Sequence, residues 1–280
     1  MQSLRRPISN LFIILAIGSL SAAAQTARRP LSSAYTRLGA YSFHHSDIFS
    51  SAGNQAALAA IKKPTAGVFG EKRFLVNELS FYQLAAAVPA SSGSFGINAT
   101  YYGFSDYNEM NAGLAYGRNL GDKVRIGAQF NYYAIRISGY GSSSTVIAEA
   151  GAVFKLTEKL FSGIHVFNPA GGKFGKNQEE KLASVYTVGF GYEVSENIFA
   201  SAEIEKQEDQ PVNVNAGFQY KIWPRLLTRA GISTAASTFY FGLGVPVKKM
   251  RIDVTAVFHQ RLGVTPGLLL IYQFNSAPEE

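Results

Sequence analysis

From Thr65 to Phe274 the chain repeats short segments in which apolar and polar residues alternate, each closed by a turn or loop. The clearest places Val124, Ile126, Ala128, Phe130 and Tyr132 on one face and Arg125, Gly127, Gln129, Asn131 and Tyr133 on the other. Successive side chains of a strand point to opposite sides, so each segment reads as a strand with one greasy and one mostly polar face. The pattern predicts about fourteen strands, at 65–71, 79–88, 94–103, 110–118, 124–136, 146–156, 160–167, 184–194, 198–206, 212–221, 227–234, 238–245, 251–259 and 266–274. Before Thr65 no stretch alternates for long, and Asp47 or Ser51 is placed to cap a short helix from Ala56 to Ile61.

The connections alternate as well. One set is short (89–93, 119–123, 157–159, 195–197, 222–226 and 246–250), and the other includes the longer stretches 104–109, 137–145, 168–183 and 260–264. Short turns at one end and longer loops at the other is the layout of a bacterial outer-membrane barrel. An even strand count also puts the N-terminal segment and the C-terminus together at the short-turn end.

Alternation alone leaves two solvents open, because a soluble lipocalin-like barrel has the same period with its apolar face inward. Strand number separates them. About eight strands enclose an interior that side chains or one small ligand can fill, and the diameter grows with strand number. Fourteen strands with the greasy face inward would enclose a void, so that face belongs in lipid, and closure satisfies the backbone there. A two-sheet sandwich or a pair of small β domains would bury the same faces, but needs a central linker, for which only 168–183 offers itself. The fold class expected is therefore all-β: a transmembrane antiparallel barrel of about 14 strands.

Composition agrees. The chain holds 20 Phe, 15 Tyr and one Trp, many near segment ends, as in the aromatic girdles of such barrels. Arg5 and Arg6, the apolar stretch Leu11–Ile17 and Ala22-Ala23-Ala24 read as a signal peptide over residues 1–24. That apolar stretch is shorter than the roughly 20 residues a spanning helix needs, which argues against an uncleaved anchor. Residues 25–280 keep 24 of the 26 Lys and Arg and all 19 Asp and Glu, a net charge of +5. These charges are scattered singly, with no cluster that would suit a nucleic acid. There is no cysteine, hence no disulfide framework and no thiolate nucleophile.

With the polar faces inward, the lumen is expected to carry Arg125, Gln129, Asn131, Glu149, Glu193, Glu203, Glu205, Asn213, Asn215, Gln219, Arg229, Asp253 and His259. Its acidic and basic members could form a ladder that fixes a plug, or simply brace the interior. Tyr133, Ile135, Val153, Leu269 and Ile271 fall on the same face, a mixture that suits an occluded barrel or a hydrophobic ligand better than a wide porin. His44, His45 and Asp47 have metal-ligand chemistry, but adjacent histidines on an extended chain diverge, so no metal site and no cofactor are expected. An outer-face esterase would need a Ser–His pair. His259 is a candidate base with no adjacent serine motif, and the chain reads as a non-enzyme. The loop Phe167-Asn168-Pro169-Ala170-Gly171-Gly172-Lys173-Phe174-Gly175 is either turn chemistry alone or an exterior lid or partner surface.

The last strand sets Leu268, Leu270, Tyr272 and Phe274 on one face. It resembles the C-terminal assembly signal of outer-membrane barrels, carried here by Tyr272 and Phe274 and followed by a tail, 275–280. That likeness implies the barrel assembly machinery and membrane lipid as partners. The layout, with Gly53-Asn54-Gln55-Ala56-Ala57-Leu58-Ala59 ahead of the strands, resembles the FadL superfamily, and among it the short PorV/PorQ-type proteins of Bacteroidota. The family carries an Asn-Pro-Ala motif in a segment that plugs the lumen. Asn54 and Ala56 match it, and Gln55 stands where the proline would be. The resemblance implies a plug over 25–63, a barrel over 64–274 and a place in the bacterial outer membrane. It also implies passage or binding of a hydrophobic small molecule or, in the PorV/PorQ manner, partnership with type IX secretion or envelope components.

Overall fold

The computed structural model describes residues 33–174 and 180–275. The expected signal peptide, the first residues of the expected plug segment and residues 276–280 lie outside the described residues. Alternation and backbone pairing together produce β1 Thr65–Lys72, β2 Ser80–Ala90, β3 Gly93–Gly103, β4 Tyr107–Leu120, β5 Val124–Ile137, β6 Gly141–Lys155 and β7 Leu160–Phe167. A separate small hairpin follows, β8 Lys173–Phe174 with β9 Glu180–Lys181. The series then resumes as β10 Val185–Glu193, β11 Ile198–Gln207, β12 Asn213–Trp223, β13 Leu226–Ser233, β14 Thr238–Val247, β15 Met250–His259 and β16 Gly263–Gln273. All but β8 and β9 join one closed antiparallel barrel of fourteen strands, in which β1 pairs with β16 from Thr65↔Gln273 to Glu71↔Gly267. Closure leaves no unpaired strand edge, as a wall in lipid requires.

The greasy faces point outward along the whole wall. Leu114, Phe130 and Val146 are 70%, 65% and 66% exposed, whereas Gln129, Asn131 and Tyr133 on the opposite face are buried. Tyr272 and Phe274 face outward with Leu268, and Leu269 and Ile271 face the lumen.

Strand positions follow the alternation, with one systematic departure at the long-loop end. There β4, β5 and β6 continue past the expected limits, through Tyr107↔Ile137 and Arg136↔Ser142. Ser142, Ser143 and Ser144 carry no apolar alternation, yet the backbone ladder runs on, because a strand that has left the membrane needs no greasy face. The expected loops 104–109, 137–145 and 260–264 thereby shrink to the turns 104–106, 138–140 and 260–262. The 168–183 loop remains long. Asn168 organises it: the side chain donates to Leu182 O at 2.7 Å and accepts from Gly172 N at 2.8 Å.

The interior is filled by the segment before β1. One α-helical turn, Ala34–Arg37, leads into 3-10 segments at Leu38–Tyr41, Ile48–Ala52 and Gln55–Ala60. The expected single capped helix is two. Asp47 and Ser50 form a capping box on Ile48–Ala52, Asn54 caps Gln55–Ala60, and Ser51 turns its hydroxyl to Ile48 O instead. The main apolar core lies inside the lumen, where Tyr35, Ile48, Phe49 and Leu58 pack on Phe69, Phe81, Leu269 and Ile271.

The outward assignment makes a direct prediction. Leu114→Arg, half-way along β4 on the exterior, lowers stability in lipid vesicles by about 2–4 kcal/mol. Urea unfolding of the reconstituted protein measures it, and a change under about 0.5 kcal/mol would contradict a lipid-facing Leu114.

Candidate functional site

The plug threads the barrel from end to end. Ser33 and Ala34 border a hollow with Glu71, His259 and Thr265 at the loop end, and Lys62 and Lys63 border another with Lys248 and Lys249 at the short-turn end. Between these ends the backbone of the plug lies directly on the backbone of the wall. Gly117, Gly127 and Gly151 form a row on the inner face of β4, β5 and β6. A Cβ at Gly127 would sit 2.3 Å from the Gln55 carbonyl carbon, and one at Gly151 2.2 Å from Asn54 Oδ1. Any side chain there would lift the plug off the wall. These glycines are thus a docking surface as well as small members of the polar face.

Four polar clasps hold the plug around its circumference. Glu149 anchors the first: it accepts from Gln55 Nε2 at 2.7 Å and Asn131 Nδ2 at 2.6 Å, and meets His165 Nε2 at 2.9 Å. Gln129 joins it at 3.4 Å. Beside this cluster Asn54 Nδ2 donates to the carbonyls of Ala152 and Ile164, while its Oδ1 accepts the Ala56 N–H. One side chain caps the plug segment and pins it to β6 and β7. Gln55 makes a contact with Glu149 that a proline at this position could not make.

On β10 the second clasp, Glu193, accepts from Ser42 Oγ and from the N–H groups of Phe43 and His44. Arg125 lies over the Phe43 ring with its guanidinium carbon 3.6 Å from the centroid. In the third, Arg37 of the plug pairs with Glu203 at 3.2 Å and Glu205 at 3.1 Å. The fourth is the most heavily charged. Asp47 Oδ2 takes Arg229 Nη2 at 2.8 Å and Arg251 Nη2 at 2.7 Å. Arg251 also reaches Asp253, and Asp253 accepts the Tyr35 hydroxyl at 2.8 Å. Burial would raise the Asp47 carboxyl, but Arg229 and Arg251 outweigh it and hold the group well below the usual carboxylate range.

Above the plug, at the loop end, lies a hollow of about 320 Å³ bordered by Arg37, Arg73, Phe74, Tyr240, Val257 and His259. Phe74 reaches it from the β1–β2 connection, its N–H donating to Thr265 Oγ1 and its ring edge-on to His259. Phe74 and Leu75 both hold positive φ, +53° and +61°, a conformation that costs a non-glycine residue about 1–2 kcal/mol. The connection is bent inward despite that cost.

Solved structures share this architecture. The Pseudomonas putida toluene transporter TodX superposes with a TM-score of 0.66 at 12% identity, over 90% of this chain and 100% of that one. The CymD monoaromatic hydrocarbon channel gives 0.63 at 10% identity (82% and 94%), and a Pseudomonas aeruginosa FadL homologue 0.60 at 11% (82% and 94%). The chain shares the fold of these proteins, a FadL homologue among them. No protein-family model matches the chain, and no curated protein matches its sequence.

Within this barrel the expected lumen residues separate into two groups. Arg125, Gln129, Glu149, Glu203, Arg229 and Asp253 are buried in the clasps. His259 stands apart at the loop-end mouth, where its ring nitrogen accepts the N–H groups of Arg261 and Leu262. It borders the lumen hollow, which is incompatible with an esterase base on the outer face. His44 turns to Glu193 and His45 to Gln219, and no group of three metal-binding side chains occurs among the described residues.

Sequence reasoning missed Arg37 and Arg251, and saw Asp47 as a helix cap or as metal-ligand chemistry, never as an ion-pair partner. The inward glycines were the available signal. Gly127, Gly151, Gly163, Gly189, Gly191, Gly217 and Gly231 all fall on lumen faces, where a plug can approach them.

Three outcomes follow. Gly127→Val keeps the barrel but displaces Gln55 and Ala56, so residues 33–63 lose amide-exchange protection while the strands keep theirs; unchanged protection would contradict backbone contact. Asp47→Ala strips the buried Arg229 of its carboxylate and weakens plug docking by about 3–5 kcal/mol, read from the same exchange rates. Because the Asp47 group is depressed, its contribution is full above the ordinary carboxylate value near 3.9 and fades as pH falls below it. Asp47→Asn lacks that part of the acid loss.

Proposed function

We propose that this protein is a non-catalytic barrel of the bacterial outer membrane that binds a hydrophobic small molecule at its loop-end mouth and passes it inward. The observation that carries the reading is the hollow of about 320 Å³, with Phe74, Tyr240 and Val257 among its borders, standing over Ala34 and Arg37 of the segment that fills the lumen. Its size suits a ligand of one or two rings, at the small end of ordinary ligand pockets. The shared fold with a toluene transporter and a monoaromatic hydrocarbon channel supports the same class of cargo. Arg73 and His259 at the rim give an entering ligand polar partners, so the class extends to apolar bodies bearing one polar group.

Passage would require the plug to shift, and the clasps set how readily it does so. The PorV/PorQ-type alternative rests on chain length and the segment Gly53–Ala59. Co-purification of secretion components with a barrel that holds no apolar ligand would favour it.

Val257→Trp fills the mouth hollow. Proteoliposomes carrying this variant should take up radiolabelled toluene at a rate lower than wild type by roughly tenfold, the worth of about 1.4 kcal/mol. Equal rates for wild type, variant and protein-free liposomes would sink the reading.

A further inference from the structure

The two rims of the barrel differ in charge. The short-turn connections, with the plug's exit, carry seven Lys or Arg against the three acids Asp122, Glu158 and Glu196. The described loop connections, with the small hairpin, carry four basic residues against five acids. The excess at the short-turn rim is concentrated. Lys62 and Lys63 at the plug's exit and Lys248 and Lys249 in the β14–β15 turn border one hollow of about 460 Å³, roofed by Asp47 and Arg251. All four lysines are exposed, and none makes an ion pair among the described residues. Four unpaired ammonium groups around one concavity repel one another unless an anion joins them.

The hollow lies at the depth of lipid headgroups. Tyr272 and Phe274 pack edge to face on the lipid side of the adjoining strand end, and Trp223 is exposed at the same rim, as aromatic residues at a membrane interface are. Met250 pairs with Tyr272 on the exterior and also borders the hollow, so the hollow reaches the rim where the wall meets the bilayer. Its volume equals that of about fifteen waters, room for a phosphate-bearing headgroup while the acyl chains stay in the membrane. Basic pockets in this position on membrane proteins take anionic headgroups.

We infer that the short-turn mouth is a binding site for an anionic phospholipid headgroup, held by Lys62, Lys63, Lys248 and Lys249. Arg251 at its roof is the same side chain that clasps Asp47, so headgroup binding and plug docking share a residue. A bound phosphate drawing on Arg251 loosens the fourth clasp from the side opposite the ligand mouth.

The test uses the full chain in nanodiscs of phosphatidylcholine doped with phosphatidylglycerol. Native mass spectrometry counts retained lipids, and heat-modifiable migration on gels confirms folding. Wild type should retain phosphatidylglycerol over phosphatidylcholine. Retention should fall roughly fivefold for each lysine removed in Lys248→Gln/Lys249→Gln and in Lys62→Gln/Lys63→Gln. The loop-end control Lys72→Gln/Arg261→Gln should match wild type. Equal retention of the two lipids, or no loss in the lysine variants, would overturn the assignment. Displacement of the lipid by inorganic phosphate at low millimolar concentration would reassign the hollow to a soluble anion. Retention that appears only after removal of residues 276–280, which include Glu279 and Glu280, would assign it to that acidic stretch instead.

Discussion

A barrel of fourteen strands encloses more space than its own inward side chains can fill, and the rest of the structure depends on what fills it. Here the filling is the chain's own segment ahead of β1, and it brings the apolar core with it. Tyr35, Phe49 and Leu58 are buried against the inner wall, so the hydrophobic contribution that most soluble proteins place between layers is placed here between a thread and its sleeve. The wall contributes closure and lipid contact, and the thread contributes packing density.

Glycine rows and charged clasps do different work in that arrangement. The glycines of β4 to β6 let the thread lie flat on the wall, which maximises contact but selects no particular register. The clasps select it. A buried ion pair adds little net stability compared with an apolar pair of the same shape, yet losing one partner is expensive. Asp47 between Arg229 and Arg251 therefore discriminates strongly between the docked position and a plug shifted by one residue. Glu149 acts likewise through Gln55, Asn131 and His165. Such a plug is firm at one register and weak at its neighbours.

Much of the wall was legible in the sequence because the strand period is two and the outer solvent is uniform. Val124 to Tyr133 announces its faces without reference to any other segment. The strand ends of β4 to β6 were less legible, since Ser142 to Ser144 carry no apolar alternation although the backbone ladder runs through them. The clasps were least legible. Asp47 and Arg229 are 182 residues apart, and nothing local to Asp47 distinguishes an ion-pair partner from the helix cap it also is. Gln55 looked like a departure from a family motif. Its reach to Glu149 depends on which strand lies opposite, and only the closed barrel settles that.

The central claim is that the segment ahead of β1 closes the lumen. Single-channel recording in planar bilayers tests it most directly, comparing the full chain with a chain that lacks residues 25–63 and migrates as a folded barrel. The account predicts a nearly silent full chain and stepwise ionic conductance once the segment is gone. A full chain that conducts as well as the shortened one would contradict it.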